Sequence, residues 1–207
     1  MLGLPVSTEV KKALPKEQLY RQFDWKPSQR ESFDGDVSRL NFVNWISPRT
    51  LPGLTAGEEV KEIFVVVVDL KCPDFDERNI ELLAKSIPQR IIYALKYGNE
   101  VRLALFHTKL FISERRPADT DFALLSRGNS MDKIWENIVT SIGQFKIEEQ
   151  HTLTEQIADN EERAKLERKI RLLESKLSST RQPRKKRELY LDLQKLKQRI
   201  QYDNKRN

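Results

Sequence analysis

The hydrophobic positions along this chain follow three rhythms. Residues 63–68 are apolar without interruption and lie between Glu62 and Asp69-Leu70-Lys71. A β-branched run of that length, bounded by Gly57 and Pro73, predicts a central strand covered on both faces. Next, Asp74 or Asp76 caps a helix over 77–87, where Ile80, Leu83, Ala84 and Ile87 recur at i, i+3, i+4 and i+7. After Pro88, segments 90–97 and 100–112 predict two strands about Gly98-Asn99, a pair with hairpin-turn chemistry. Ser130 or Asp132 caps a helix over 133–145, with Ile134, Ile138, Val139 and Ile142 on one face and Trp135 beside them. The last rhythm is heptad-like. Leu166, Ile170, Leu173 and Leu177 are spaced 4, 3, 4, and Leu189, Leu193, Leu196 and Ile200 repeat that spacing beyond Pro183. Two matching seams about a short break predict an antiparallel helical hairpin with coiled-coil-like packing.

The first fifty residues are less regular. Ser7 or Thr8 caps a helix over 9–14 that stops before Pro15, and Pro15 opens a second helix through residue 23. Segment 37–46 alternates in part, through Val37, Leu40, Phe42 and Trp45, and predicts the start of a strand before Pro48, Pro52 and Gly53 open a loop. The whole reads as an α+β fold, a mixed sheet with flanking helices over 1–147, followed by the helical hairpin over 148–207.

Charge sharpens this division. Residues 151–207 carry 16 Lys and Arg against 9 Asp and Glu, whereas residues 1–150 carry 21 against 22. A near-neutral domain with a basic helical appendage points to docking on an anionic surface or a partner helix more than to chemistry. The lone Cys72 excludes an internal disulfide framework and a cysteine-based zinc site. No apolar run approaches the ~20 residues of a membrane span, and the N-terminus lacks the pattern of a signal peptide. A reduced, cytoplasmic compartment is the expectation.

Three features bear on chemistry. Asp69-Leu70-Lys71 ends the best strand, and an acid and a lysine two residues apart share one face of a strand. Restriction-type nucleases use that pair, the acid binding Mg²⁺ and the lysine steadying water or phosphate. The second acid falls to Glu58, Glu59 or Glu62, and Gln89 with Tyr93 mimics a further nuclease element. Against this, the usual upstream proline-aspartate is missing, and acid-x-lysine triplets are common in a chain that is 33% charged. His107 reads as a structural strand residue and His151 as solvated. No metal set, serine elbow, Walker loop or dinucleotide glycine motif occurs. Lastly, Arg181, Arg184, Lys185, Lys186 and Arg187 place five cations within seven residues at the hairpin tip. Such a cluster neutralises phosphates and gives affinity for DNA or RNA without sequence specificity. Arg115-Arg116 and Trp25 are possible extensions of that surface.

The order of motifs also resembles a known family. Leu4-Pro5-x-Ser7-Thr8-Glu9-Val10, Leu14-Pro15-Lys16, Ser47-Pro48, Ala56-Gly57-Glu58-Glu59-Val60-x-Glu62-Ile63, Leu70-Lys71, Ile87-Pro88 and the helical tail together resemble the prokaryotic family called domain of unknown function 4391. The resemblance implies a cytoplasmic accessory protein encoded beside helicases and DNA methyltransferases in restriction-modification or phage-defence clusters. It brings no catalytic residues. The expectation is therefore a non-catalytic adaptor without cofactor, docking a helicase-like or methyltransferase-like partner, with DNA or RNA as a further partner. A Mg²⁺-dependent nuclease using Glu58 or Glu59 with Asp69 and Lys71 is the alternative. A third reading is a self-associating structural protein that forms homo-oligomers through the tail.

Overall fold

A computed structural model describes residues 2–206 except 123 and 125–127, with no side-chain placement for 200–206. The chain divides into two compact units, Met1–Phe145 and Lys146–Asn207.

The first unit is built on one mixed sheet. Among the described residues its strands are β1 (Glu9–Leu14), β2 (Val37–Ile46), β3 (Ile63–Leu70), β4 (Arg90–Tyr97), β5 (Glu100–Phe106), β6 (Leu110–Ile112) and β7 (Arg116–Pro117). They lie in the order β1-β2-β3-β4-β5-β6, with β7 also on β5. Neighbours are antiparallel except β3 and β4, which run parallel with Ile63 opposite Arg90 and Asp69 opposite Lys96. The helices of this unit are α1 (Lys16–Gln22), α2 (Pro27–Asp36), α3 (Glu77–Ser86) and α4 (Met131–Gly143).

β3 is buried on both faces, as its unbroken apolar run predicts. Val66 and Val68 join Tyr93 and Leu95 under Leu19 of α1, Phe33 of α2, and Ile80 and Leu83 of α3. On the other face α4 lies against β5 and β6 and buries Ile134, Trp135, Ile138, Val139 and Ile142. Asp76 caps α3 by accepting the Arg78 N–H, and Ser130 caps α4 by accepting that of Lys133.

Two expectations are corrected. Residues 9–14 form a strand, not a helix. Six residues are too few to hold a helix alone, and Leu14 precedes Pro15, which disfavours its helical conformation. The β2 edge offers the segment a ladder instead. The sequence pattern also leaves 27–36 unassigned, yet it forms α2. Pro27 stands at its first turn and the Gln29 side chain accepts the Lys26 N–H at 2.8 Å. Phe33 is the residue that α2 buries. The strand expected over 100–112 is interrupted at 107–109 and resumes as β6.

The second unit holds α5 (Leu153–Ser179) and α6 (Pro183–Arg206), which pack on each other. Thr152 and Glu155 form a reciprocal capping box at the start of α5. Leu166 and Leu193 of the expected seam are buried, and Ile170, Leu173, Leu177, Leu189 and Leu196 are half-buried. The Ile200 side chain lies outside the described residues. Ion pairs Glu162–Arg199 at 2.6 Å and Glu174–Lys197 at 2.7 Å link the two helices.

Candidate functional site

Sequence singles out two places, the end of β3 and the tip of the hairpin. At the first, the candidate nuclease set is not brought together. Glu62 precedes β3 and Asp69 stands near its far end, seven residues on, which is about 23 Å along a strand. Glu58 and Glu59 are more distant along the chain. The Glu62 carboxylate accepts the Trp45 Nε1–H at 2.9 Å.

The roles of Glu58 and Glu59 lie in their backbone. The Asp132 carboxylate, in the first turn of α4, accepts the N–H groups of Glu58 at 2.6 Å and Val60 at 2.7 Å. Burial works to raise the Asp132 pKa, but the amides of Val60, Glu58 and Glu59 outweigh it and hold the carboxyl below its ordinary value. Any Cβ at Gly57 would run into that carboxyl. Thr55 adds a strand-like bridge to Ser130. Residues 55–60 therefore clasp the N-terminus of α4, which accounts for the spacing of Gly57, Glu58 and Val60.

The β2–β3 pairing brings two other acids near Lys71. Asp34 and Asp36 close α2 just before β2, and β2 runs antiparallel to β3. The Lys71 Nζ donates to the Asp34 carbonyl at 2.5 Å, and its N–H donates to the Asp36 carbonyl at 2.7 Å. The carboxylates themselves are engaged elsewhere. Asp34 accepts Lys16 Nζ at 2.7 Å and the Tyr20 hydroxyl at 2.8 Å. Burial raises its pKa, but those two donors outweigh the rise and hold it below the usual range. Asp36 accepts the Asp76 N–H at 2.8 Å and the Asn79 side-chain amide at 2.7 Å, tying β2 to the start of α3. Asp69 pairs with Arg39 at 2.9 Å and faces Lys96 across the parallel register. Strand alternation turns Asp69 to the face opposite Val68, whereas Asp36 reaches toward α3 on the Val68 side. These acids brace the fold; among the described residues no group of three or more His, Cys, Asp or Glu is placed to hold a metal.

The remaining candidates take structural positions. Burial and the Asp36 carboxylate push the half-buried Cys72 thiol above its ordinary pKa, the opposite of an activated nucleophile. Tyr93 is buried in the core and Gln89 is exposed, both on or beside β4 and neither on a helix. Trp25 is buried against Phe33, with ring centroids 5.1 Å apart. Trp135 Nε1–H donates to His107 Nδ1 at 3.2 Å. Arg115 pairs with Asp74 at 3.2 Å. His151 lies 3.8 Å from Glu148 and 3.6 Å from Asp159.

The hairpin tip differs in kind. Arg181, Arg184, Lys185, Lys186 and Arg187 are all exposed. Among the described residues none of the five enters an ion pair, although Arg163, Lys197 and Arg199 of the same hairpin do. The tip cations thus carry charge that no ion pair among the described residues neutralises, whereas Lys197 and Arg199 join the two helices.

The model of the family described as domain of unknown function (DUF4391) matches residues 2–200. The chain belongs to this family. No curated protein and no solved structure matches the chain. The Ala56-Gly57-Glu58-Glu59-Val60 stretch, which pointed to DUF4391, is the clasp on α4. No helix among the described residues is long and apolar enough to cross a membrane.

Proposed function

We propose that this DUF4391 protein is a non-catalytic binding subunit of a prokaryotic DNA-targeting assembly of the restriction-modification or phage-defence kind. Its hairpin tip lies on nucleic-acid phosphates, and its sheet unit docks a helicase-like or methyltransferase-like protein in the cytoplasm. One observation carries the reading: five exposed cations stand within seven residues at the turn of a hairpin whose other basic residues include ion-paired ones. Clustered, unpaired Lys and Arg release counterions from a phosphate backbone and bind with little regard to sequence. The engaged carboxylates at the end of β3 support a binding role over a Mg²⁺-dependent one.

The experiment is fluorescence anisotropy of a labelled DNA duplex titrated with the full chain over a range of salt. Replacing Arg184, Lys185, Lys186 and Arg187 with glutamine is expected to make the slope of log affinity against log salt shallower by up to about 3.6, at about 0.9 per phosphate contact. An unchanged slope moves the contact away from the tip. The same DNA and an RNA of equal length, incubated with the chain and Mg²⁺ or Mn²⁺, are expected to stay intact. Cleavage that disappears in a folded Asp69→Ala variant would overturn the adaptor reading in favour of a nuclease.

A further inference from the structure

The proposed docking role leaves open where on the sheet unit a protein sits. Among the described residues β1 is the last strand on its side of the sheet, so one row of its N–H and C=O groups faces outward without a partner strand. Beside it is a cavity of about 360 Å³. Val10, Lys12 and Leu14 from one face of β1 form one wall, and Phe23, Phe42 and Phe64 are among the apolar residues that form the rest. Phe42 and Phe64 meet edge to face at 5.8 Å, and Trp45 stacks on Phe64 with planes 9° apart. No acidic residue lines the cavity; its charged group is Lys12.

We propose that β1 takes an extended segment of a partner protein as an added strand, with apolar residues at alternate positions and acidic residues between them. An added strand hydrogen-bonds to the free edge, and alternate side chains supply specificity by entering pockets beside it. Here an apolar side chain enters the Phe42–Phe64 cavity. Lys11 and Lys12 decide the charge: both are exposed, and among the described residues neither is in an ion pair. Two β1 strands paired antiparallel about a twofold axis between residues 11 and 12 would set Lys11 against Lys12, and like charges directly opposite destabilise a strand pair. A register that set Glu9 against Lys12 would escape that repulsion, so pairing with a second copy is an outcome that the test separates. The inference rests on the proposed docking role only for the identity of the partner.

The test uses three fluorescein-labelled peptides with the full chain: alternating leucine and aspartate, alternating leucine and lysine, and alternating serine and aspartate. The leucine–aspartate peptide is expected to bind saturably, and each of the other two at least tenfold more weakly. Lys11→Glu with Lys12→Glu, at exposed positions, is expected to weaken the leucine–aspartate peptide at least tenfold and to invert the preference toward leucine–lysine. Val10→Trp, which puts a larger side chain on the cavity wall, is expected to reduce leucine–aspartate binding and leave the weak serine–aspartate binding unchanged. The proposal is overturned by no saturable binding, by equal binding of the serine–aspartate peptide, or by lysine variants that bind like the parent. Self-association lost in the lysine variants would assign the edge to a second copy instead and overturn it too. The tip-glutamine variant is expected to bind peptide like the parent, so that failure at the hairpin and failure at β1 read out separately.

Discussion

The two units of this chain hold together in different ways. In the sheet unit whole side chains vanish from solvent: Phe33, Ile80, Leu83 and Tyr93 are at most 1% exposed. In the hairpin unit the buried residues, among those described, are Gln156, Ile157, Leu166 and Leu193. Burial favours the fold by about 25 cal/mol per Å² of apolar area, so the sheet unit rests on a core. The hairpin rests on a narrow seam, its helical hydrogen bonds and a few ion pairs. A surface that must present charge cannot also be a core, and this chain separates the two tasks along the sequence. The largest effects of substitution should therefore fall in the sheet unit. The sharpest probe is Phe33→Ala, which empties the space under α2 and removes the edge contact with Trp25; it is expected to cost about 3–5 kcal/mol. Denaturant unfolding followed by tryptophan fluorescence checks this, because Trp25, Trp45 and Trp135 all lie in the sheet unit.

The matching break in the hairpin is Leu173→Asp. Leu173 is half-buried, so the expected cost is about 2 kcal/mol, below that of a charge in a closed core. Helical circular dichroism should fall while the tryptophan transition stays in place. A single transition in which both signals move together would show that the units are not independent, and unchanged helicity would remove Leu173 from the seam.

How much of this was legible beforehand depends on whether a residue's partner was near in sequence. The 63–68 run, the α3 stripe and the 4, 3, 4 seam each declare themselves locally, and the mixed α+β architecture follows from them. α2 does not, because it buries Phe33 alone and its length is otherwise polar. The 9–14 segment reads as a helix in sequence because a six-residue stretch has no periodicity strong enough to choose, and pairing with β2 makes it a strand. The sequence offers Glu58, Glu59 and Glu62, all upstream of β3, as the second acid near Lys71. The antiparallel register instead brings Asp34 and Asp36 from the previous element, and nothing short of that register could have revealed it. The Gly57–Asp132 clasp spans more than seventy residues and was equally hidden.

A smaller effect separates the units by pH. His107 is pushed down to about 4 by burial and by the nearby Arg90 charge, and its Nδ1 accepts the Trp135 N–H. The unfolded chain binds a proton at this site near pH 6.5 and the folded chain only near 4, so the unfolded state holds more protons between those values. The contribution is complete above about pH 6.5 and is lost as pH falls through about 4. Partial exposure screens it to about 1 kcal/mol, below the full linkage value. His107→Gln keeps an acceptor for Trp135 and abolishes the titration. Its sheet transition is expected to depend less on pH than the parent's between pH 7 and 4.5, and an identical slope would assign the acid sensitivity elsewhere.

Tyr93 reverses the sign of the usual core substitution. Its hydroxyl is buried and finds no hydrogen-bond partner among the described residues, and burial raises its pKa well above the ordinary value. An unsatisfied buried hydroxyl carries its desolvation cost without return. Tyr93→Phe is expected to leave the sheet unit as stable as before or to stabilise it by up to about 1 kcal/mol. Destabilisation beyond that would mean the hydroxyl is satisfied in solution.

The smallest effect on stability is expected at the tip, where the proposed effect on binding is the largest. Replacing Arg184, Lys185, Lys186 and Arg187 with glutamine removes four exposed side-chain charges that make no ion pair among the described residues. Nothing is lost from the seam, since Leu189 and Leu193 lie further along α6. Relief of like-charge repulsion at the turn favours the fold slightly, and glutamine is as good a helix former as lysine or arginine. The unfolding free energy is therefore expected to stay within about 0.5 kcal/mol of the parent's, even as the salt slope of the proposed DNA binding collapses. A loss above 1 kcal/mol would instead mean that these cations hold the hairpin together, and the division between a core that folds and a surface that binds would fail at the place where it is drawn most sharply.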